Sequence, residues 1–325
     1  MSHALYLAPI RGVTDAIYRN SFFEHFGGFD LAMAPFVTTP RGKRIKPNHI
    51  KDLLPERNRA FPMVPQLLSK EPEQFVLVAR RLFDLGYGEI NWNLGCPYPQ
   101  VANKGRGSGL LNQPEVIDRF LDQVLPVLSG KLSVKTRLGR ESRDEIFTLM
   151  PIFNRYPLSE LIIHPRTGRQ LYEGTVDRDT FEQCLDLSDH PVVYNGDITT
   201  VDEFQAGSGR FKGVNRWMIG RGALVDPFLM AAIKNGEVPE TEKADRVRRF
   251  HDDLFLQYSE VLFGPSHLLD RMKGLWKYLG AGFKDSRNVL KRIHKTTKID
   301  QYKEVVSRFF NEEAAWKPSP AGSVP

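Results

Sequence analysis

The sequence contains very little cysteine: Cys96 and Cys184 are the only two in 325 residues. This excludes a framework of several disulfides and fits a reducing compartment, so we expect a cytoplasmic protein. A single bridge between the two cysteines stays open on the sequence alone. The first residues lack a basic segment followed by an apolar one, so no secretory signal is expected. No apolar run approaches the roughly 20 residues that span a bilayer, so we expect no membrane partner.

Several motifs of common catalytic and binding sites are also missing. No CxxC or HExxH pair is present, and His164 has no second ligand at metal-binding spacing, so no metal is expected. The absence of GxSxG and GxxxxGK[ST] excludes a nucleophile elbow and a P-loop. The run from Gly105 to Gly109 does not match GxGxxG, so it is not interpreted as a dinucleotide fingerprint.

The positive charge is concentrated near the C-terminus. The formal net charge is +6, with 41% hydrophobic and 26% charged residues, as in an ordinary soluble protein. Between Leu268 and Lys303 there are ten Lys or Arg and only three acids. Such a region is either a solvated helical surface or a face that binds nucleic acid.

Short β-rich runs alternate with amphipathic stretches up to about residue 235. The candidate strands are Ala4–Ala8, Leu31–Ala34, Pro62–Leu67, Glu89–Asn93, Leu132–Thr136, Glu160–His164, Val192–Asn195 and Val214–Ile219. The stretches between them include Pro72–Leu85 and Pro114–Val127, with proline near the start of each predicted helix. This alternation predicts an α/β fold, a parallel (β/α)8 TIM barrel. An open doubly wound sheet is the alternative, but no strand–GxGxxG–helix unit opens the chain.

The pattern becomes purely helical after Pro239. Helical periodicity covers Lys243–Leu262, His267–Leu279, Asp285–His294 and Ile299–Asn311. We therefore predict a catalytic barrel over residues 1–239 and a smaller all-helical domain over residues 240–313. Residues 314–325 are predicted to be a disordered tail.

Polar side chains, together with one proline and two glycines, lie at the end of one candidate strand after another, which is where a barrel places its active site. They are Pro9, Gln66, Asn93, Cys96, Lys135, Arg137, His164, Arg166, Asn195, Gly196, Asp197, Gly220 and Arg221. Each alone is an ordinary surface charge, structural histidine or turn. Together they suit a phosphorylated, planar, electron-accepting cofactor, with Lys135 stabilising negative charge on its reduced ring. Gly196, Gly220 and Arg221 would hold the phosphate.

The chain resembles the flavin-dependent tRNA-dihydrouridine synthases of bacterial type. The segments that carry the resemblance are Leu7-Ala-Pro-Ile-Arg-Gly-Val-Thr-Asp15, Asn93-Leu-Gly-Cys-Pro97, Ser133-Val-Lys-Thr-Arg-Leu-Gly139, His164-Pro-Arg-Thr167, Asn195-Gly-Asp-Ile198 and Ile219-Gly-Arg-Gly-Ala223. They follow the family order and extend from residue 5 to about residue 225, ahead of the helical segment.

The resemblance implies reduction of a uridine in tRNA to 5,6-dihydrouridine. It implies FMN, reduced by NADPH, as hydride donor to C6 of the uracil, and Cys96 as proton donor to C5. A thiol suits this acid role because its ordinary pKa of about 8.5 leaves it mostly protonated at neutral pH. The base would be flipped out of the RNA, and Gly105, Gly107 and Gly109 would form a mobile lid.

The resemblance also assigns roles to individual residues. FMN would be held by Pro9, Gln66, Lys135, His164, Asn195, Gly196, Asp197, Gly220 and Arg221. Substrate would be bound by Asn93, Arg137, Arg166, Arg271 and Lys273, with Trp276 in the same RNA-facing block. We expect a monomer whose partner is tRNA.

Two positions depart from the family pattern. Pro35 stands where the family usually has Glu, and Asn91 stands where Asp often precedes the signature. Both departures concern the substrate pocket and leave the proposed acid and the FMN-binding set unchanged. Two alternatives stay open. One is an FMN barrel oxidoreductase for a small molecule, which has no need of a basic helical domain. The other is a catalytically inactive RNA-binding relative.

Overall fold

Parallel pairing joins the β-rich runs of the sequence into one sheet. In the computed structural model, which describes residues 3–40, 42, 44–236 and 239–317, the strands are β1 (Ala4–Leu7), β2 (Leu31–Met33), β3 (Val37–Thr38), β4 (Met63–Val64), β5 (Gln66–Leu68), β6 (Glu89–Asn93), β7 (Lys131–Gly139), β8 (Leu161–Thr167), β9 (Val192–Tyr194) and β10 (Arg216–Ile219). Their order in the sheet is β3-β5-β6-β7-β8-β9-β10-β1-β2-β4. All eight predicted strands are present.

The sheet closes on itself at Pro65. β4 and β5 lie on either side of this proline; β4 pairs with β2, and β5 pairs with β6, both in parallel. The carbonyl of Pro65 also accepts a hydrogen bond of 2.8 Å from the backbone N–H of Asn91. Because β4 and β5 act as one strand with two neighbours, the strands form a cycle of eight. The predicted (β/α)8 barrel is confirmed, and the open doubly wound sheet is excluded.

The described chain divides into two compact units. The first comprises Met1–Pro9, Leu31–Gly196 and Phe211–Met218, and the second comprises Ile10–Asp30, Asp197–Arg210 and Ile219–Pro325. The second unit thus takes in earlier segments as well as the C-terminal helices. The predicted domain limits at residues 239 and 313 stay predictions.

The first unit contains the barrel strands and the helices α2 (Pro47–Ile50), α3 (Pro72–Asp84), α4 (Pro99–Ala102), α5 (Pro114–Val124), α6 (Glu145–Asn154) and α7 (Arg178–Leu187). Short 3₁₀ turns occur at Lys51–Leu53, Pro55–Arg57, Gly107–Leu110 and Leu125–Val127. Both α3 and α5 begin with proline at the first helical position, as predicted. Phe120 of α5 stacks on Trp92 of β6 with ring centroids 3.8 Å apart, which fixes the helix against the sheet.

The two cysteines are buried in the first unit, and neither is part of a disulfide. The bridge that the sequence left open is therefore not formed. Cys184 lies fully buried on α7, as expected of a core residue, and burial raises its pKa to about 12.

The second unit is helical. Its helices are α1 (Ala16–His25), α8 (Val201–Arg210), α9 (Arg221–Val225), α10 (Leu229–Asn235), α11 (Glu240–Val261), α12 (Pro265–Leu279), α13 (Ser286–Lys295) and α14 (Ile299–Arg308), with a 3₁₀ turn at Gly280–Gly282 and a π-helical turn at Phe309–Glu313. α1 packs on α11, where the ring of Phe250 contacts Tyr18 and Phe22. None of the helices in the described part of the chain is both long and apolar enough to cross a membrane.

Two details of the helical segment differ from expectation. Trp276 is fully buried and donates a hydrogen bond of 2.8 Å to the hydroxyl of Tyr302, so it is a core residue and does not face RNA. In the predicted tail, Trp316 is buried and forms an isolated β-bridge with Phe283. Residues 318–325 of that tail lie outside the described residues.

A buried carboxylate lies among the amino ends of the barrel strands. Glu160, which precedes β8 and is 5% exposed, accepts hydrogen bonds from the hydroxyl of Tyr6 (3.1 Å) and from Arg216 (2.9 Å). Burial, reinforced by repulsion from Glu89, raises the pKa of Glu160 from 4.5 to about 7. The protonated form is therefore favoured in the folded state, and stability falls as pH rises from 4.5 to about 7.

Replacing Glu160 with Gln should remove this pH dependence, because the neutral amide needs no proton. The wild type should lose free energy of unfolding as pH rises, and Glu160→Gln should not. The difference between variant and wild type should therefore shift in favour of the variant by about 2–3 kcal/mol from about pH 5 to about pH 8. Chemical denaturation at a series of pH values measures this difference. Glu141→Gln, at an exposed ion pair, is the control and should follow the wild-type profile. Parallel profiles for Glu160→Gln and wild type would contradict the prediction.

Candidate active site

The carboxyl ends of four neighbouring strands bring predicted site residues together. Gln66 is on β5, Asn93 ends β6, Lys135 is on β7 and His164 is on β8. The sheet register pairs Asn93 with Lys135, and Arg137 with His164. Because adjacent parallel strands place such partners side by side, these side chains belong to one edge of the barrel.

A chain of side-chain amides lies between β5, β6 and β7. The amide nitrogen of Asn93 donates to Oε1 of Gln66 at 2.7 Å, and Nε2 of Gln66 donates to Oδ1 of Asn91 at 2.8 Å. Nδ2 of Asn91 in turn donates to Oγ of Ser133 at 3.0 Å. These residues are buried, so each hydrogen bond also satisfies a group that water does not reach.

Asn91 thus has a structural role that its sequence position did not reveal. The sequence marked it only as a departure from an acidic pattern. The signal available was its place two residues before Asn93, on the same face of the strand. Asn91 joins Ser133 to Gln66, and so sets which side of the Gln66 amide faces Asn93.

The side chain of Asn93 also binds the backbone of the loop that carries Cys96. Oδ1 of Asn93 accepts hydrogen bonds from the N–H groups of Cys96 (2.9 Å) and Gly95 (3.2 Å). The side chain of Cys96 is 7% exposed and packs on Leu68 and Val101. One amide therefore ties the thiol-bearing turn to the strands below it.

The glycine-rich segment after Cys96 packs against the Cys96 turn, and its motion as a lid stays a prediction. Gly107–Leu110 is a buried 3₁₀ turn, and the N–H of Ser108 donates to the Cys96 carbonyl at 3.0 Å. Gly107 has φ +56°, and a Cβ there would lie 2.8 Å from the Cys96 carbonyl oxygen. Close approach to Cys96, rather than flexibility, explains this glycine.

Three basic groups on β7 and β8 have pKa values shifted by burial: Lys135, Arg137 and His164. Burial is the main reason that the pKa of Lys135 falls to about 7, and repulsion from Arg137 contributes. Burial likewise lowers the pKa of Arg137 to about 10. Burial, followed by Arg137 and Lys135, holds the pKa of His164 well below its usual value, so His164 is neutral at pH 7. Both Lys135 and Arg137 interact electrostatically with Cys96.

No carboxylate in the described part of the chain forms an ion pair with Lys135 or Arg137. The positive charge at this end of the barrel is therefore not balanced by the protein. A charge arrangement of this kind is costly when buried and fits an anionic ligand.

The two arginines predicted to bind substrate also hold the backbone of nearby loops. Arg137 donates to the carbonyls of Gly95 (2.9 Å) and Thr167 (2.7 Å). Its guanidinium carbon lies 5.2 Å from the centre of the Tyr172 ring, a neighbour that the sequence did not single out. Arg166 donates to the carbonyls of Glu173 (3.2 Å) and Gly174 (2.6 Å).

His164 is oriented by Asn195. Its Nδ1 lies 2.5 Å from the Asn195 carbonyl oxygen and must carry the proton, because a carbonyl only accepts. Nε2 is then the acceptor nitrogen, 3.5 Å from Nη1 of Arg166. The amide nitrogen of Asn195 donates to the Met218 carbonyl at 2.7 Å, so Asn195 links β9 to β10.

The remaining predicted residues are divided between the two units. Pro9 and Gly196 belong to the first unit, and Asp197, Gly220 and Arg221 belong to the second. Within the second unit, Nη2 of Arg221 lies 3.4 Å from Oδ1 of Asp197. The role of these five residues in holding a cofactor stays a prediction.

Arg271 and Lys273, predicted to bind RNA, make contacts inside the second unit. Arg271 donates to the Gly12 carbonyl at 2.6 Å and pairs with Asp15 at 3.3 Å. Lys273 donates to the Thr296 carbonyl at 2.5 Å. Their contacts with RNA stay a prediction. Among the residues that the structure describes, no group of three or more His, Cys, Asp or Glu could hold a metal ion.

A known sequence family matches nearly the whole chain. The family model described as dihydrouridine synthase (Dus) matches residues 6–315. The tRNA-dihydrouridine(16) synthase of Ralstonia nicotianae is 31% identical over 238 residues, 71% of this chain and 72% of that protein. The probable tRNA-dihydrouridine synthase 2 of Bacillus subtilis is 27% identical over 313 residues, 93% of each chain.

Solved structures resemble the fold. Histamine dehydrogenase from Rhizobium sp. 4-9 superposes with a TM-score of 0.56 at 11% identity, covering 78% of this chain and 48% of that chain. A morphinone reductase variant in complex with tetrahydroNAD superposes with a TM-score of 0.51 at 10% identity, covering 72% of this chain and 87% of that chain. At these identities the likeness concerns the fold alone.

Alanine at position 107 should disrupt the turn that carries Cys96. Gly105→Ala is a matched control, because Gly105 also has positive φ (+63°) but has only the Lys70 side chain nearby. The control should lose about 1 kcal/mol of unfolding free energy from backbone strain. Gly107→Ala should lose about 3 kcal/mol or more, because the added methyl meets backbone atoms.

Denaturation measures both losses, and the rate of thiol labelling in the native protein reports the position of Cys96, because Cys184 is fully buried. Labelling should be faster in Gly107→Ala than in Gly105→Ala. Equal stability and equal labelling in the two variants would show that the contact with Cys96 does not matter.

Proposed function

We propose, since the chain belongs to the dihydrouridine synthase family, that it reduces a uridine of tRNA to 5,6-dihydrouridine. The observation that carries the proposal is the thiol of Cys96, held by Asn93 at the barrel edge beside Lys135 and Arg137. The family match also extends through the helical segment, which a reductase of small molecules would not need. Relatives from several bacteria are named for action on tRNA.

The residues present fit a flavin, and we propose FMN. The unbalanced positive charge of Lys135 and Arg137 suits a group that becomes anionic on reduction. Gln66 and His164 lie at the same edge and are the proposed polar neighbours of the flavin, and Asn195 fixes the tautomer of His164. When bound and reduced by NADPH, FMN supplies a hydride for C6 of the uracil.

Cys96 is proposed to supply the proton for C5. Its S–H bond breaks as the new C–H bond forms, and the sulfur keeps the electron pair as thiolate. Lys135 and Arg137 interact electrostatically with Cys96, so both stabilise this thiolate. The hydrogen bonds from the loop to Asn93 hold the sulfur in place during the transfer, which favours a productive geometry.

The target base must leave its stack to reach a thiol at a barrel edge. We propose that Asn93, Arg137 and Arg166 contact the extruded base, and that Arg271 and Lys273 contact RNA from the helical segment. The excess of basic residues between Leu268 and Lys303 supports binding to tRNA phosphates. A monomer in the cytoplasm is part of the same proposal.

Removing the thiol tests the acid role. Cys96→Ala should keep its flavin absorption and lose dihydrouridine formation by about 100-fold or more, because a general acid contributes on that order. Dihydrouridine in unmodified tRNA, measured by mass spectrometry after reaction with NADPH, is the readout.

Cys184→Ala is the matched control, because it also removes one buried thiol, and its activity should remain near that of the wild type. Full activity in Cys96→Ala would refute the acid role. A wild-type protein that binds flavin and tRNA without making dihydrouridine would indicate the inactive relative.

The titration of Lys135 predicts a pH dependence of FMN binding by the apoprotein. Lys135 is charged below its pKa of about 7 and neutral above it, so its attraction for FMN, whose phosphate makes the whole molecule an anion even when the ring is oxidised, is present at low pH and is lost as pH rises. At about pH 6, Lys135→Met should raise the Kd for FMN about tenfold, and the ratio to wild type should approach one by about pH 9.

Fluorescence titration of FMN at each pH measures the Kd. Lys131→Met, at the exposed start of the same strand, should bind like the wild type throughout. A Lys135→Met ratio that does not change with pH would contradict the titration of this lysine.

A further inference from the structure

An exposed aromatic ring follows the catalytic turn. Tyr98 lies two residues after Cys96, and 45% of it is exposed, whereas most large apolar side chains of the described chain are buried. Pro97 and Pro99 flank it, and its backbone is extended (φ −60°, ψ 134°) at the start of α4. Because a residue between two prolines has few backbone conformations, the backbone of Tyr98 is restricted and presents the ring to solvent at a defined position.

The Tyr98 ring is connected to the site through the ring of Tyr172. Its centroid is 6.3 Å from that of Tyr172, and the Tyr172 ring is 6.2 Å from His164. The guanidinium of Arg137 lies over the same Tyr172 ring at 5.2 Å. The Tyr172 ring is thus a common neighbour of Tyr98 and of two site groups, His164 and Arg137.

Basic side chains accompany Tyr98 on the same segment. Lys104 and Arg106 follow it in the chain, and Nζ of Lys70 would lie 3.9 Å from a Cβ on Gly105. In the described part of the chain, none of these three has a carboxylate within ion-pair distance. Arg140, which reaches the segment at Asn103 (3.3 Å), is paired with Glu141. An exposed ring, followed within eight residues of the chain by cations that have no carboxylate partner, suits a single-stranded nucleotide.

We propose that Tyr98 is a stacking platform for the nucleobase next to the extruded uridine, and that Lys70, Lys104 and Arg106 bind the adjoining phosphates. The proposal rests on the proposed function. Extrusion of one base removes a stacking partner from its neighbour. A ring at the rim of the site replaces the lost contact, and stacking of this kind tolerates any base because every base has an aromatic face. The platform thus lowers the cost of opening the RNA.

Three variants test the stacking. Tyr98→Ala should raise both the Kd and the KM for tRNA about tenfold or more, because the base loses its platform. Tyr98→Phe keeps the ring and should stay within about twofold of wild type. Leu187→Ala, which removes an apolar side chain of similar exposure from the same unit, should have no effect. Flavin content and thermal unfolding should be the same in all of them.

A fluorescent base analogue reports the contact directly. Dihydrouridine mapping first identifies the modified position, and 2-aminopurine is then placed beside it in a synthetic RNA. Wild type and Tyr98→Phe should quench the emission on binding, and Tyr98→Ala should not. Equal quenching by all three would overturn the platform, as would a Tyr98→Phe variant as weak as Tyr98→Ala, since that result assigns the contact to the hydroxyl.

The phosphate contacts have their own measurement. Lys104→Gln should weaken tRNA binding and reduce the slope of log Kd against log salt by about one. An unchanged slope would remove Lys104 from the surface. If wild type binds tRNA but makes no dihydrouridine, the proposed function fails, while the Kd of Tyr98→Ala still decides the platform. If wild type is active and Tyr98→Ala binds equally well, only the platform fails.

Discussion

The hydrogen bonds of the Asn93 side chain hold the turn that carries Cys96 to the barrel strands. Its oxygen accepts from the Gly95 and Cys96 N–H groups, and its nitrogen donates to Gln66. A buried amide has one acceptor side and one donor side, so these partners permit one orientation only. Any movement of the Cys96 turn away from the barrel would leave buried polar groups unpaired, at a cost of about 1–3 kcal/mol for each group.

The Asn93 side chain has two kinds of neighbours, neutral polar side chains and basic side chains. Below it, Gln66, Asn91 and Ser133 form a neutral network within the barrel. Beside it, Lys135 and Arg137 place positive charge without a carboxylate partner among the described residues. Had an acid replaced Asn91, as the family pattern often has it, a negative charge would lie near these cations and offset part of them. The neutral network preserves the positive potential that suits an electron-rich ligand and a developing thiolate.

Position in the chain predicted much of this site. A polar residue at the end of an apolar run is at a strand terminus, and in a parallel barrel all such termini share one edge. Gln66, Asn93, Lys135 and His164 could be grouped in this way without coordinates. Contacts made by loops and helices could not. Gly107 suggested flexibility but is buried against Cys96, and Trp276 suggested an RNA contact but is a core residue. A glycine can be flexible or tightly packed, and a tryptophan can be exposed or buried. The residue type alone therefore does not reveal its neighbours.

The sequence by itself determined the barrel, the helical segment and the residues at the strand ends, because hydrophobic periodicity and strand direction are local properties of the chain. The tertiary structure alone decided how those residues interact. It set the polarity of the amide chain from Ser133 to Cys96, the tautomer of His164 and the depressed pKa of Lys135. Each of these depends on groups from neighbouring strands that meet only when the strands pair, and their distances cannot be read from the sequence pattern.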